Sequence, residues 1–316
     1  MPDTPSDRSE IQAEIQAEIH AEVRADVLVR ALAVGGSVRA LSLRSTHVSR
    51  QLCLAHDASP AGAMALSRVA SAALLLGGLI KGREQVSLNV RGEGELGAVL
   101  AIADAMGRVR ATIDHPRVEL VLDEAGRPSL GLTFGPGRLT VTRTMGLKAP
   151  YVGVVPLVSG EIAIDLAEYF RVSEQKPTTV ALFEVLGPEG VRAAGGFLIQ
   201  ALPGADDNAL ERVAARVERL PPMSVLLEAG LTPVDLLKEI FDDLVILEQG
   251  PVHFECNCSR DRYEGLLLTL GHDELIAMAT EQENAEVVCH FCAVKYYFSR
   301  EELQAIARHA LKPGTP

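Results

Sequence analysis

Two close pairs of cysteines stand near the end of this chain. They are Cys256-Asn257-Cys258 and Cys289-His290-Phe291-Cys292, with 30 residues between them. Thiolates are soft donors, and four of them suit a tetrahedral zinc ion. A Cys-x-x-Cys turn aims both of its sulfurs at one metal. Cys-x-Cys is less usual, because sulfurs two apart on a regular strand lie too far apart for one tetrahedron. A local turn is needed, and Asn257 tolerates the left-handed backbone that would supply it. His253, His272 and His290 lie nearby, but four sulfurs already complete the shell, so the histidines read as ordinary side chains. The spacing does not suit haem or an iron–sulfur cluster. The expectation is one zinc per chain, held by Cys256, Cys258, Cys289 and Cys292. Its role stays open at this point, since such a metal can be purely structural or can be an oxidation sensor. Zinc binding can contribute about 10–16 kcal/mol of folding free energy to a small unit, and oxidation of the thiolates to disulfides would withdraw it. Cys256 with Cys258, and Cys289 with Cys292, are close enough along the chain to pair once the metal has gone.

Other candidate chemistry is weaker. Gly92-Glu93-Gly94-Glu95-Leu96-Gly97 spells GxGxxG after a strand. Two carboxylates inside the loop would repel a pyrophosphate, and Ala98 to Ala103 reads as a buried strand rather than a phosphate-facing helix, so a hairpin turn is expected. No Ser/His/Asp set and no P-loop stands at convincing spacing, and no enzyme is expected. Cys53, between Leu52 and Leu54, reads as a small buried residue rather than a reactive thiol.

The elements that must position the cysteines follow from pattern. The chain has 316 residues, enough for two domains or for one with a satellite. Its formal net charge of −12 disfavours phosphate backbones and anionic lipid as partners. The longest apolar stretch, Val69 to Ile80, falls short of the roughly 20 residues a membrane helix needs. The N-terminus lacks the basic start and apolar run of a secretory signal, so a cytoplasmic location is expected, where paired cysteines favour metal or redox chemistry. Residues 1–25 form an extension, and Ile11, Ile15, Ile19, Val23 and Val27 recur every fourth residue along it and just past its end. This reads as helix, with an apolar stripe that drifts about 40° per step. Residues 26–201 mix strands and helices without regular βαβ alternation, so the fold class is α+β, with antiparallel-type sheets in the N-terminal domain. Ser59-Pro60 opens a helix rich in Ala, Ser and Gly that runs to Gly77-Gly78. Val86, Leu88 and Val90, Arg138 to Arg143, Leu182 to Leu186, and Phe197 to Ile199 read as strands. Residues 202–250 read as a charged helical linker. Asp206 or Asp207 caps a helix over Ala209 to Leu220, Ser224 opens a short turn, and Thr232-Pro233 opens a helix with Leu236, Leu237, Ile240, Phe241 and Leu244 on one face. Ten acids against four bases make this linker marginal on its own. Residues 251–316 hold the four cysteines and six of the 13 aromatics, at a size where a metal often completes a core too small by itself. The stretch around Tyr263 reads as strand or turn, followed by a helix near His272 to Thr280.

At Phe254-Glu255-Cys256-Asn257-Cys258-Ser259, and at Cys289-His290-Phe291-Cys292 followed by Tyr296-Tyr297-Phe298, the sequence resembles the redox-regulated 33-kilodalton heat-shock chaperonins. Tyr151-Val152-Gly153, Gly160-Glu161-Ile162-Ala163, Ser173-Glu174-Gln175 and the run Gly195 to Pro203 are similar to that family's central region and to the close of its first domain. The turn with Gly92, Gly94 and Gly97 also looks like a family feature. The likeness spans about residues 28–300, and the extension before residue 25 departs from it. The resemblance implies a compact zinc form that is largely inactive. Oxidation would then pair neighbouring cysteines and expel zinc, and the zinc domain and linker would lose structure. The protein would dimerise and hold unfolding clients without ATP. Carried over by position, Cys256, Cys258, Cys289 and Cys292 are both zinc ligands and redox thiols. The competing reading is a binding module with structural zinc that engages nucleic acid or a protein partner.

Overall fold

The computed structural model describes residues 25–144, 149–206, 208–228 and 230–310. The Ile/Val repeat falls almost wholly outside them, as does Asp207. Val27, the last residue of that repeat, instead opens the first strand. The chain divides into two compact units, Met1–Phe254 and Glu255–Pro316.

The first unit is α+β and is built on two sheets. β1 (Val27–Ala33) and β2 (Val38–Arg44) form a hairpin around Gly35-Gly36. After them come α1 (Thr46–His56), α2 (Pro60–Gly77), β3 (Gln85–Gly92), β4 (Ala98–Asp104) and β5 (Arg108–Ile113). The chain continues through α3 (Leu130–Phe134), β6 (Gly137–Thr144), β7 (Tyr151–Pro156), α4 (Ala163–Tyr169), a π-helical turn (Phe170–Glu174), β8 (Thr178–Gly187) and β9 (Gly190–Ala201). Three helices, α5 (Ala209–Val217), α6 (Met223–Glu228) and α7 (Pro233–Ile240), precede β10 (Val245–Pro251) and β11 (His253–Phe254). One sheet has the order β10-β1-β2-β9-β8 and the other β11-β5-β4-β3-β6-β7. Every pairing is antiparallel except β11 on β5.

α2 is the axis of this unit. The Ser59 hydroxyl accepts from the Gly62 amide, and Pro60 takes the first turn, where no intrahelical donor is lost. Sixteen of its 18 residues are buried, because small side chains let strands approach on several sides. Among the described residues it is also the one helix long and apolar enough to cross a membrane, but 89% of that window is buried inside the protein. A buried ion network fixes it to its surroundings: the Arg68 guanidinium donates to both oxygens of Glu184 on β8 and to Glu161. The GxGxxG stretch is the β3–β4 turn, and Gly94 donates to the Phe134 carbonyl. A Cβ on Gly92 would stand 2.0 Å from that same carbonyl oxygen, so these glycines serve backbone contact with the end of α3.

The five-stranded sheet is apolar on both faces, following the two-residue period of a strand. Leu28, Leu41, Leu43 and Leu198 face the main core around α2. Val29, Ala31, Ala33, Val38, Ala40, Phe197 and Ile199 face a second core, closed by Val213 of α5 and by Leu236, Leu237, Ile240 and Phe241 in and after α7. The helix over 209–220 ends at Val217 in this fold, and its N-cap is Asn208, whose amide donates to Asp206. The Thr232 hydroxyl and Asp235 form the reciprocal cap that starts α7.

Two boundaries differ from the sequence reading. Residues 245–251 are not helical but form strand β10, because pairing along β1 satisfies their backbone groups and tucks Ile246 against the second core. The junction read at 250/251 falls at 254/255, because Val252 is buried in the main core and Phe254 packs against it.

The second unit contains α8 (Arg260–Leu268), α9 (His272–Glu281), the hairpin β12 (Asn284–Val288) and β13 (Lys295–Ser299), and α10 (Arg300–His309). Tyr263 is on helix α8, not on a strand or turn. The Ser259 hydroxyl accepts from the Arg262 amide and starts the helix there. Leu275, Phe298 and Leu303 are buried at its centre.

Candidate metal centre

Cys256 and Cys258 lie in the segment just before α8, and Cys289 and Cys292 in the turn between β12 and β13. In that turn the Cys289 amide donates to the Val294 carbonyl and the Ala293 amide donates to the Cys289 carbonyl. The left-handed residue at the centre is Ala293, with φ 55°, rather than Asn257. The hairpin returns its chain within the six residues between Val288 and Lys295, so it cannot avoid a tight turn, and the cysteines ride on it.

The fold thus brings all four predicted cysteines together, with their sulfurs within 4.8 Å of one another. The Cys256 and Cys289 sulfurs are 3.7 Å apart and those of Cys258 and Cys292 are 3.4 Å apart. A tetrahedron of zinc–sulfur bonds of about 2.3 Å has edges of about 3.8 Å. The donor set therefore fits a metal ion of that kind with little rearrangement. Cys289 is buried and the other three are half-buried.

Two tyrosines that the sequence reading left in the core stand at the sulfurs. The Tyr296 hydroxyl of β13 donates to the Cys258 sulfur at 3.1 Å. Tyr263 of α8 lies against that ring, and its hydroxyl favours the charged form of Cys289. The two rings are 5.0 Å apart and tilted by 39°. Burial pushes the Cys289 thiol up, but the Tyr263 hydroxyl and the backbone at Phe291 and Cys292 outweigh it and bring the thiol down to about 6. Burial holds the Cys256 and Cys292 thiols above the ordinary range. The sequence offered no spacing signal for either tyrosine; their roles arise only when α8 and β13 meet the cysteine turns.

Cys53 is far from this centre in the chain and half-buried on α1. Burial pushes its thiol up to about 11, against a lowering hydrogen bond with Ser67.

A two-sheet α+β body followed by a small unit that gathers four thiols defines a class of protein: one that carries a C-terminal cysteine centre compatible with zinc binding and redox sensing. Within that class, the family model described as Hsp33 protein matches residues 26–299. The chain is 41% identical over 284 residues to the 33 kDa chaperonin of Desulforamulus reducens, covering 89% of this chain and 97% of that one. It is 39% identical over 282 residues to the 33 kDa chaperonin of Bacillus subtilis strain 168, covering 88% and 97%. The crystal structure of the 33 kDa chaperonin, a heat shock protein 33 homolog, from Thermotoga maritima superposes with a TM-score of 0.85 at 33% identity, covering 90% of this chain and 98% of that one. The chain belongs to the Hsp33 family of 33 kDa chaperonins. That family is one of chaperones rather than enzymes, which implies unfolded polypeptides as the class of partner.

Proposed function

We propose that this chain is a redox-regulated, ATP-independent holdase that protects unfolding proteins from aggregation under oxidative stress, in the cytoplasm. In this reading Cys256, Cys258, Cys289 and Cys292 bind one zinc per chain in the reduced form. The observation that carries it is the gathering of four sulfurs in a unit whose own apolar core is small. Bound zinc would hold the thiolates deprotonated and add its binding free energy to the folding of that unit.

The residues supply the rest. A thiolate attacks one oxygen of a peroxide, releasing hydroxide and becoming a sulfenic acid. Its neighbour attacks that sulfur, forms the disulfide and releases a second hydroxide, and two protons turn both into water. Two thiolates are oxidised and one peroxide is reduced for each disulfide. We assign the pairs Cys256–Cys258 and Cys289–Cys292 on the family resemblance, since the shortest sulfur contacts in the closed site run between the pairs. The sulfurs then no longer bind metal, and the zinc domain, the unit from Glu255, loses its clasp. The metastable linker, 202–250, would follow. Its helices cover Val29, Ala31, Val38, Ala40, Phe197 and Ile199, so its loss would bare one apolar face of the 26–201 chaperone domain to clients. The same bared surface would support a homodimer of the oxidised chain. Nucleic acid and membrane are not partners in this reading.

The test treats reduced, zinc-loaded protein with peroxide under mildly unfolding conditions. Zinc release is followed with a colorimetric chelator, and light scattering by a heat-labile client enzyme is followed alongside. About one zinc per chain should leave as aggregation suppression switches on. Equal suppression by the reduced zinc form, or zinc retained under peroxide, would overturn the proposal.

A further inference from the structure

The Cys258 sulfur receives the Tyr296 hydroxyl at 3.1 Å and lies 3.4 Å from the Cys292 sulfur. Tyr263 stands behind the Tyr296 ring. The tyrosines come from different elements, α8 and β13, and their rings support one another at 5.0 Å. Neighbouring positions do not share this placement: Tyr297, the next residue along β13, is 52% exposed and interacts with Glu286 instead. The arrangement is therefore specific to the sulfurs rather than a general aromatic lining.

We propose that Tyr296 is a positioning residue that brakes oxidation of the cysteine centre by hydrogen-bonding the Cys258 thiolate, with Tyr263 steadying its ring. The inference rests on the redox reading above. A hydrogen bond to a coordinated thiolate draws electron density from the sulfur, and changing an outer-shell partner of this kind alters a metal site's affinity or activity about 10–100-fold. The attacking species in the first oxidation step is the sulfur lone pair, so a bonded sulfur attacks the peroxide oxygen more slowly. The brake slows Cys258 in either role, first attack on peroxide or second attack on the sulfenic acid. The centre then ignores ordinary peroxide levels while its donor geometry stays ready. The chemistry is unchanged from the balance given above; the tyrosines keep their protons throughout.

The experiment compares full-length wild type with Tyr296→Phe, Tyr263→Phe and the control Tyr297→Phe, all reduced and zinc-loaded. Two rates of zinc loss are read: one under a fixed peroxide concentration, and one to a competing chelator with no oxidant. Tyr296→Phe should release zinc on the order of tenfold faster under peroxide, a size typical of outer-shell changes. Its loss to chelator should speed up much less than its loss under peroxide; Tyr263→Phe, which keeps the ring, and Tyr297→Phe should match wild type in both. Equal acceleration of Tyr296→Phe in both assays would mean that the hydroxyl merely supports the fold, and would overturn the inference. So would a wild-type rate under peroxide in Tyr296→Phe. If wild type itself holds zinc under peroxide, the redox reading falls and this inference falls with it; the wild-type arm separates the two failures.

Discussion

At the scale of single residues, the site depends on donors that have no substitutes. In the proposed zinc form each of the four sulfurs would be one corner of a tetrahedron, and a serine oxygen is a poor replacement for a thiolate. Cys292→Ser should take zinc content from about one per chain towards none, and the second unit should lose helical signal by circular dichroism. Full zinc occupancy in that variant would remove Cys292 from the ligand set. Cys53 makes the opposite case. Its thiol is pushed up to about 11 by burial, so only a small fraction is thiolate near neutrality. Alkylation of Cys53 in the native protein should be slow at pH 7 and speed up about tenfold per pH unit until the pH nears that value. Cys53→Ser should leave zinc content and peroxide response unchanged, as mass spectrometry of labelled peptides and a zinc assay would show. The clustering of the four cysteines could be read in the sequence because each pair is local and its spacing carries the geometry. The place of Tyr263 and Tyr296 could not be read, since their rings meet at the sulfurs only after a helix and a hairpin have closed on the turns.

At the scale of elements, the segment 209–241 and its sheet are joined mostly by apolar contact, with a few polar clasps. Asp243 is the clearest of these. Its two carboxylate oxygens accept from the Val34 and Gly35 amides, at 3.0 and 2.7 Å, in the β1–β2 turn. Val34 has φ 53°, a left-handed backbone that a valine adopts at a cost, and the carboxylate offsets it by satisfying both amides. The Gly35 and Val34 bonds hold the Asp243 carboxyl below its ordinary range. A carboxyl lowered by folding contributes stability that is complete above its unfolded value and is lost as pH falls through the folded one. Asp243→Ala should therefore speed amide hydrogen exchange across 209–241 at pH 7 with zinc content unchanged. The gap between variant and wild type should close as pH is lowered through the carboxylate range. Equal exchange at pH 7 would mean that the apolar cover alone holds the segment. The helices of this segment were legible because Thr232-Pro233 and the spacing of Leu236, Leu237 and Ile240 are strong local signals. β10 was not, because Val245–Pro251 has no strand identity apart from the free edge of β1 that it fills.

At the scale of the whole molecule, stability is unevenly shared. The body holds its main core around α2, with the buried Arg68–Glu184–Glu161 network fixed through it. The second unit gathers eight buried apolar residues among those described, about the least that can organise a unit of this size. Both units are acidic overall in a chain of net charge −12. Without oxidant, a chelator tests this division directly. Stripping the metal under reducing conditions removes a ligand that binds only the folded state, so the second unit loses that whole binding free energy while the body loses none of its own core. Limited proteolysis should then cut within 255–310 and spare α2 and the strands around it. Urea unfolding should split into an early step that is insensitive to added chelator and a later one from the body. Returning zinc should restore the single protected pattern, because four reduced sulfurs need no new covalent bond to close the site again. A stripped protein that resists protease throughout 255–310 would mean that the eight-residue core suffices, and that metal occupancy and order in that unit are not linked.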